Sequence, residues 1–135
     1  MSETKTMATK ATGPLAGVRI IDLTSVVFGA YATQMLGDYG ADVIKIEAPS
    51  PTGGGGQGGD IMRWAGKVPE GASSDLGPIY VTINRNKRSV LLDLRKKSGV
   101  DALMQLIASA DVLASNIRYE GMKRLGLSYE DVKKV

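Results

Sequence analysis

The feature that most constrains the fold of this chain is a strand–helix–strand pattern that occurs twice. In its first occurrence, Val18–Leu23 is a nearly continuous apolar run, which is typical of a strand buried on both faces of a sheet. Helical spacing follows at Ala30–Tyr39, and Gly40 stands where helices commonly end in glycine. Asp42–Glu47 predicts the next strand. A helix between two such strands predicts a parallel pair joined by a right-handed crossover.

The second occurrence lies in the last part of the sequence. Ser89–Leu94 predicts a third strand. Ser98–Ala110 carries apolar residues at the i, i+3, i+4, i+7 spacing of an amphipathic helix. Asp111–Ser115 predicts a fourth strand, so the two units share one architecture.

Two short helices are expected in the tail. One is predicted at Glu120–Leu125, and Ser128 with Asp131 forms a capping-box pattern that opens the other. Together the elements predict an α/β fold, with an open, mostly parallel, Rossmann-like sheet of about four strands and flanking helices, as an incomplete domain.

The chain divides by composition into a lead-in and a folded part. Residues 1–13 are polar and are expected to be disordered, and residues 14–135 form the folded part. Within it, residues 48–78 hold four prolines and a glycine run, which predicts a Gly/Pro-rich loop. The run at Gly53–Gly58 matches G-x-G-x-x-G, but a dinucleotide fingerprint belongs at the first strand–helix turn, so we discount it. Ile79–Ile83 is expected to pack back onto the core.

Composition excludes several kinds of chemistry. The 135 residues contain no Cys and no His, which excludes thiolate catalysis, disulfides and the commonest zinc ligand and general base, so no metal site is expected. A net charge of +3 and 5% aromatic residues do not favour a nucleic-acid-binding protein. No apolar run approaches the roughly 20 residues of a membrane span, and the first residues lack the apolar segment of a secretory signal. We therefore expect a cytoplasmic protein that binds neither nucleic acid nor membranes.

Three segments next to predicted strands carry candidate binding residues. In the first turn, DLTSVVFGAY, the absence of a glycine fingerprint does not favour a nicotinamide cofactor, and Val27 and Phe28 are either core residues or ligand contacts. Asn84–Ser89, NRNKRS, predicts a turn with residues that tolerate left-handed backbone, and its cations at a strand entry are equally consistent with a structural role. Arg95–Lys97 is a basic cluster at the end of a predicted strand. It is consistent either with binding an anionic diphosphate or with a solvated surface cluster.

The segment ADVLASNIRYEGMKRLGL resembles the pattern A-D-V-x-x-E-N-F-R-P-G-x-M-x-x-L-G-L of the class III coenzyme A transferases, the family of formyl-CoA and carnitine-CoA transferases. Residues 14–49 and 84–95 also resemble that family, and the resemblance covers roughly the first third of a typical member. It implies CoA contacts at Val27, Phe28, Leu92, Asp93, Leu94, Arg95, Asn116, Ile117, Arg118 and Arg124.

The resemblance assigns chemical roles and also shows departures. The side chain of Asn116 suits an adenine or ribose edge, and Arg118 suits a phosphate. The chain departs from the family pattern at Ala30 (usually Pro), Ala48 (Arg in some members), Ser115 (usually Glu), Ile117 (usually aromatic) and Tyr119–Glu120 (usually Pro-Gly).

The resemblance also implies an activity. Family members move CoA between carboxylic acids, using acyl-CoA as a substrate and no covalently bound cofactor, through an aspartyl-acyl anhydride, and they form interlocked homodimers. The nucleophilic Asp has no matching position here, so this chain alone is expected to be inactive. The chain's own aspartates are expected to serve folding: Asp22, Asp38, Asp42, Asp93 and Asp111. Two alternatives stay open: the amino-terminal portion of an alpha-methylacyl-CoA racemase-like enzyme, and a non-catalytic truncated fragment.

Overall fold

The computed structural model describes residues 12–49, 58–68, 70–71, 73 and 75–135. The strands are β1 (Arg19–Asp22), β2 (Asp42–Glu47), β3 (Lys87–Leu91) and β4 (Val112–Ala114). The helices are α1 (Phe28–Asp38), α2 (Pro78–Asn84), α3 (Lys97–Ile107), α4 (Tyr119–Arg124) and α5 (Tyr129–Val132), and a 3-10 turn lies at Ile61–Trp64. Most of the predicted lead-in and of the glycine run lies outside the described residues.

The strands form one open, parallel sheet in the order β3-β2-β1-β4. This confirms the predicted α/β class with a four-stranded open sheet and flanking helices. Because every strand points the same way, the four carboxyl ends lie at one edge of the sheet, where ligands of open α/β sheets bind.

The core lies on both faces of the central strands, because successive side chains of a strand point to opposite faces. Ile21 packs in a cluster with Leu103 of α3, whereas its neighbour Ile20 packs with Val43 and with Leu36 of α1 on the other face. The continuous apolar run of the first strand therefore reflects burial from both sides, as predicted.

Both boundaries of β3 differ from the sequence prediction. β3 covers Lys87–Leu91 and not Ser89–Leu94, because its pairing with β2 stops where β2 ends, with Leu91 opposite Glu47. The predicted strand residues that follow form the turn into α3 instead.

The apolar piece predicted at Ile79–Ile83 lies within α2. This helix begins at Pro78, where a missing N–H costs nothing, and it buries Tyr80 and Ile83. The segment therefore packs onto the core as expected. Asn86 follows with φ of 60°, which confirms the left-handed backbone predicted for this turn.

Within these described ranges, no helix is both long and apolar enough to cross a membrane.

Candidate functional site

The predicted CoA contacts fall after three of the four parallel strands. Val27–Phe28 follows β1, Leu92–Arg95 follows β3, and Asn116–Arg118 follows β4. All three groups therefore lie at the carboxyl edge of the sheet. Because β3 and β4 are the outer strands, about three strand spacings, or about 14 Å, separate the groups that follow them. An elongated ligand is the kind that such an edge can accommodate.

The turn after β1 is held by side chains from two strands. Asp22 Oδ1 accepts hydrogen bonds from the backbone N–H and the hydroxyl of Thr24 (2.8 and 2.6 Å). Lys45 Nζ of β2 donates to the carbonyl oxygen of Thr24 (2.7 Å). Gly29 lies so close that an added Cβ would stand 2.7 Å from Cβ of Thr24. The start of the turn therefore has one tightly determined path.

The tip of the same turn presents apolar side chains to solvent. The exposed fractions of Val27 and Phe28 are 38% and 91%, so neither is a core residue of the structure described here. Of the two interpretations from sequence, burial in the core is therefore wrong for this chain, and the role in ligand contact stays a prediction.

Asn116, after β4, contacts this turn directly. Its Oδ1 accepts from the N–H of Ser25 (3.1 Å), and its Nδ2 donates to the carbonyl oxygen of Ser25 (2.9 Å). The structure thereby joins the predicted contact regions after β1 and after β4. Among the described residues, no side-chain hydrogen bond joins the Leu92–Arg95 turn to either of them.

The turn after β3 is arranged around Asp93. The Arg95 guanidinium donates to Asp93 at 2.8 and 3.1 Å and holds the pKa of that carboxyl below its ordinary value. Leu92 and Leu94 pack against the core, so a ligand would meet the backbone of this turn with Asp93 and Arg95. Gly99 of α3 lies so close to this turn that an added Cβ would stand 2.2 Å from the carbonyl oxygen of Asp93.

The cations after β4 are the most available ones among the predicted contacts. Arg118 and Arg124 are exposed and form no ion pair with any other described residue. Arg118 immediately precedes α4, and Arg124 ends it. Ile117, at the position where the family favours an aromatic residue, is 37% exposed.

Sequence reasoning missed a buried cluster around Glu47, the last residue of β2. Its carboxylate accepts five hydrogen bonds, from Nε and Nη2 of Arg63, the hydroxyls of Tyr80 and Ser89, and the N–H of Asp60. Burial alone would raise the pKa of Glu47, but these bonds, that of Arg63 foremost, lower it to about 2. Burial and then the Glu47 carboxylate raise the pKa of Tyr80.

A second buried ion pair connects the loop after β2 to the sheet. Lys45 Nζ lies 2.8 Å from Oδ2 of Asp60, and both side chains are 1% exposed. Since Lys45 also holds Thr24, one ammonium links the loop to the turn after β1. The sequence contained one signal for both clusters: Lys45 and Glu47 are charged residues at the end of an otherwise apolar strand.

The cations of NRNKRS serve the fold. The Lys87 side chain is buried against Asp22, and Arg88 pairs with Asp42 at the amino edge of the sheet (2.6 Å). Of the two roles considered from sequence, the structural one therefore applies to Lys87 and Arg88.

An open cleft of about 420 Å³ lies beside the Glu47 cluster, after β2 and β3. Its lining includes Arg63 and Asp75, and the buried indole N–H of Trp64 has no hydrogen-bond partner among the described residues. Also among those residues, no group of three or more acidic side chains could hold a metal ion.

The parallel sheet defines an α/β protein, and it carries exposed cations at its carboxyl edge, where ligands of open α/β sheets bind. Comparison with known proteins identifies the family: the model of CoA-transferase family III matches residues 15–135. This chain belongs to CoA-transferase family III.

The chain is similar to several proteins of that kind. An acyl-CoA transferase of Fusarium pseudograminearum is 39% identical over 95% of this chain and 28% of that protein. The succinate–glutarate CoA-transferase of Agrobacterium fabrum is 38% identical over 89% of this chain and 29% of that protein. The solved structure of Rv3272 from Mycobacterium tuberculosis matches with a TM-score of 0.78 and 35% identity, over 92% of this chain and 32% of that one. The chain thus spans less than a third of the length of these relatives.

Proposed function

We propose that this chain is the CoA-binding amino-terminal portion of an enzyme that moves CoA between carboxylic acids. The observation that carries the proposal is that Arg118 and Arg124, after β4 at the carboxyl edge of the sheet, are exposed and pair with no other described residue. The relatives of this chain are named CoA-transferases. CoA carries a 3′-phosphate and a diphosphate, and guanidinium groups bind phosphate through paired hydrogen bonds.

Each group of predicted contacts binds a different part of CoA. Arg118 and Arg124 pair with phosphate, and Arg95 offers a further cation at the other end of the edge. Val27 and Phe28 present apolar surface to the adenine or to the pantetheine arm. In this arrangement, the elongated CoA molecule spans the roughly 14 Å between the outer strands.

The chemical step uses an aspartate outside these 135 residues. Its carboxylate attacks the thioester carbonyl of acyl-CoA, the C–S bond breaks, and CoA leaves as a thiolate, so that a mixed anhydride remains on the enzyme. The acceptor carboxylate then attacks the aspartyl carbonyl of the anhydride and displaces the donor carboxylate. The thiolate attacks the new acyl carbonyl, which forms the new thioester and releases the aspartate carboxylate. The aspartates discussed above for folding have partners in the structure: Asp22 with Lys87, Asp38 with Arg85, Asp42 with Arg88, Asp93 with Arg95, and Asp111 with the N–H of Arg19.

The relatives favour the transferase over the racemase alternative, because the named reactions of the reported relatives are CoA transfers. We also propose that the family's homodimer covers the apolar face of α1, where Tyr31 and Met35 are exposed.

Calorimetry tests the CoA-binding proposal. We expect heat on titration with CoA, weaker binding to dephospho-CoA, and binding that falls as salt rises, because phosphate pairing is screened. The double variant Arg118→Gln, Arg124→Gln should lose most of the affinity for CoA. Arg88→Gln is the matched control, since it removes an exposed cation at the opposite edge of the sheet. Absence of heat from the unaltered chain with either ligand would refute the binding proposal.

Assays of acyl exchange test the assignment of the nucleophile. The purified chain should show no exchange between acyl-CoA and a free acid. Exchange that is abolished by substituting one of its own aspartates would place the nucleophile within this chain and overturn that part of the proposal.

A further inference from the structure

We propose that Asn116 is a positioning residue, which shapes the turn after β1 for CoA without touching the nucleotide. This inference rests on the proposed CoA binding and changes the role that the family resemblance implies for this side chain. The evidence is that the oxygen and the nitrogen of its amide each form a hydrogen bond with the backbone of one residue, Ser25.

Asn116 continues the pairing of β1 with β4 beyond the strands. The backbone pairing ends where the N–H of Leu23 donates to the carbonyl oxygen of Ala114 (2.8 Å). Two residues further along each segment, the side-chain amide of Asn116 supplies the next acceptor and the next donor, at 3.1 and 2.9 Å from the backbone of Ser25. An asparagine amide offers the same two groups as a peptide unit, so it can replace a missing strand neighbour.

The residue after Ser25 shows why such support is needed. Val26 has φ of 67°, in the left-handed region that a side chain branched at Cβ strongly disfavours. Such a conformation persists only when surrounding contacts determine it. Asp22 and Lys45 hold the turn as far as Thr24, and among the described residues Asn116 is the distant residue that hydrogen-bonds Ser25, directly before the strained residue.

The strained residue sets the direction of the predicted ligand contacts. Val27 comes directly after Val26, and its carbonyl oxygen accepts the hydrogen bond from Tyr31 that opens α1. Phe28 is the first residue of that helix and is 91% exposed. If Val26 relaxed to a right-handed conformation, the direction of the chain at Val27 and Phe28 would change, and both side chains would move.

A double-mutant cycle in the full chain distinguishes positioning from direct contact. Asn116→Ala should weaken CoA binding about tenfold, the effect expected for losing one or two hydrogen bonds that hold the binding conformation. Val26→Gly accepts positive φ without strain. In the Val26→Gly background, we therefore expect Asn116→Ala to weaken binding less than about threefold. An equal loss in both backgrounds would show that Asn116 contacts the ligand itself, and no loss in either would show that it does not support the site.

A ligand-free measurement separates this inference from the proposed function. In Asn116→Ala, amide hydrogen exchange should accelerate about tenfold or more at Ser25, whose N–H loses its acceptor, whereas Thr24 should keep its protection through Asp22. Unchanged exchange at Ser25 would overturn the positioning role. If the unaltered chain does not bind CoA but exchange changes as expected, the CoA-binding proposal fails and the structural role of Asn116 stands.

Discussion

Lys87 Nζ lies 3.0 Å from Oδ2 of Asp22, and the exposed fractions of the two side chains are 1% and 0%. The same ammonium donates to the carbonyl oxygen of Ala30 (2.7 Å) and to Oδ1 of Asn84 (2.9 Å), so its three donors all have partners. Burial lowers the pKa of Lys87, and Asp22 opposes that change. The pair ties β3 to β1 and α1, although β2 lies between the two strands.

Asp22→Ala is expected to destabilise the chain strongly, because it leaves a buried ammonium without its counter-charge. The free energy of unfolding, measured by urea titration, should fall by about 3–5 kcal/mol. Asp101→Ala is the control, since it breaks an exposed ion pair with Lys97, and should cost less than about 1 kcal/mol. Similar losses in the two variants would contradict the importance of burial. If Asp22→Ala does not fold, Asp22→Asn supplies the comparison.

The Glu47 cluster predicts a loss of stability in acid. The pKa of Glu47 is about 2 in the folded chain and 4.5 when unperturbed, so its contribution is complete above about pH 4.5 and is lost as pH falls towards 2. About 2–3 kcal/mol of unfolding free energy should disappear across that range. Urea midpoints between pH 2.5 and about 6 measure it.

Glu47→Gln should remove this part of the pH dependence and lower stability near neutral pH. Ser89→Ala is the milder test, because it keeps the carboxylate and removes one hydrogen bond, of 2.6 Å. It should reduce the acid sensitivity by a smaller amount. A pH profile identical in the unaltered chain and both variants would show that Glu47 is not held in this way.

Two helical glycines should respond differently to alanine. In Gly99→Ala the new Cβ would stand 2.2 Å from the carbonyl oxygen of Asp93, so the turn after β3 must move, at about 1–3 kcal/mol. In Gly121→Ala the nearest atom is a methyl group of Ile117 at 2.8 Å, which can rotate away, and helix propensity favours alanine. Thermal unfolding should separate the two variants. Equal melting temperatures for the two variants would argue against close packing of α3 against the turn at Asp93.

The exposed apolar face of α1 predicts self-association. Static light scattering of the 14.3 kDa chain should give a mass above that of the monomer and rising with concentration. The double variant Tyr31→Lys, Met35→Lys should bring the mass close to the monomer, whereas Gln105→Lys on the exposed side of α3 should not. A monomer at all concentrations for the unaltered chain would contradict the prediction.

Several elements could be predicted from the sequence because their signals are local. Asp42–Glu47 coincides with β2, and the capping box of Ser128 and Asp131 is formed as predicted, with a bond of 3.2 Å from the N–H of Ser128 to Asp131 Oδ2. Apolar periodicity likewise located α3, to within a few residues. Spacing of neighbouring residues carries this information, so no knowledge of distant parts of the chain was needed.

The candidate site could be predicted only in part. The family resemblance selected the turns after three strands, which the parallel sheet brings to one edge. It did not indicate that the amide of Asn116 is hydrogen-bonded to Ser25. The two residues are 91 positions apart, and only the packing of β4 beside β1 brings them together.

The second strand–helix–strand unit does not form an adjacent pair like the first, because β3 and β4 are the outer strands of the sheet. The sequence by itself determined the class of fold, the parallel direction of the strands and the family. Those properties follow from short-range apolar patterns and from motifs read along the chain. Only the tertiary structure decided which charges are buried together, as in Lys87 with Asp22 and Glu47 with Arg63. Charge pairing of this kind depends on which distant segments meet in a low-dielectric interior, and a one-dimensional pattern does not specify that.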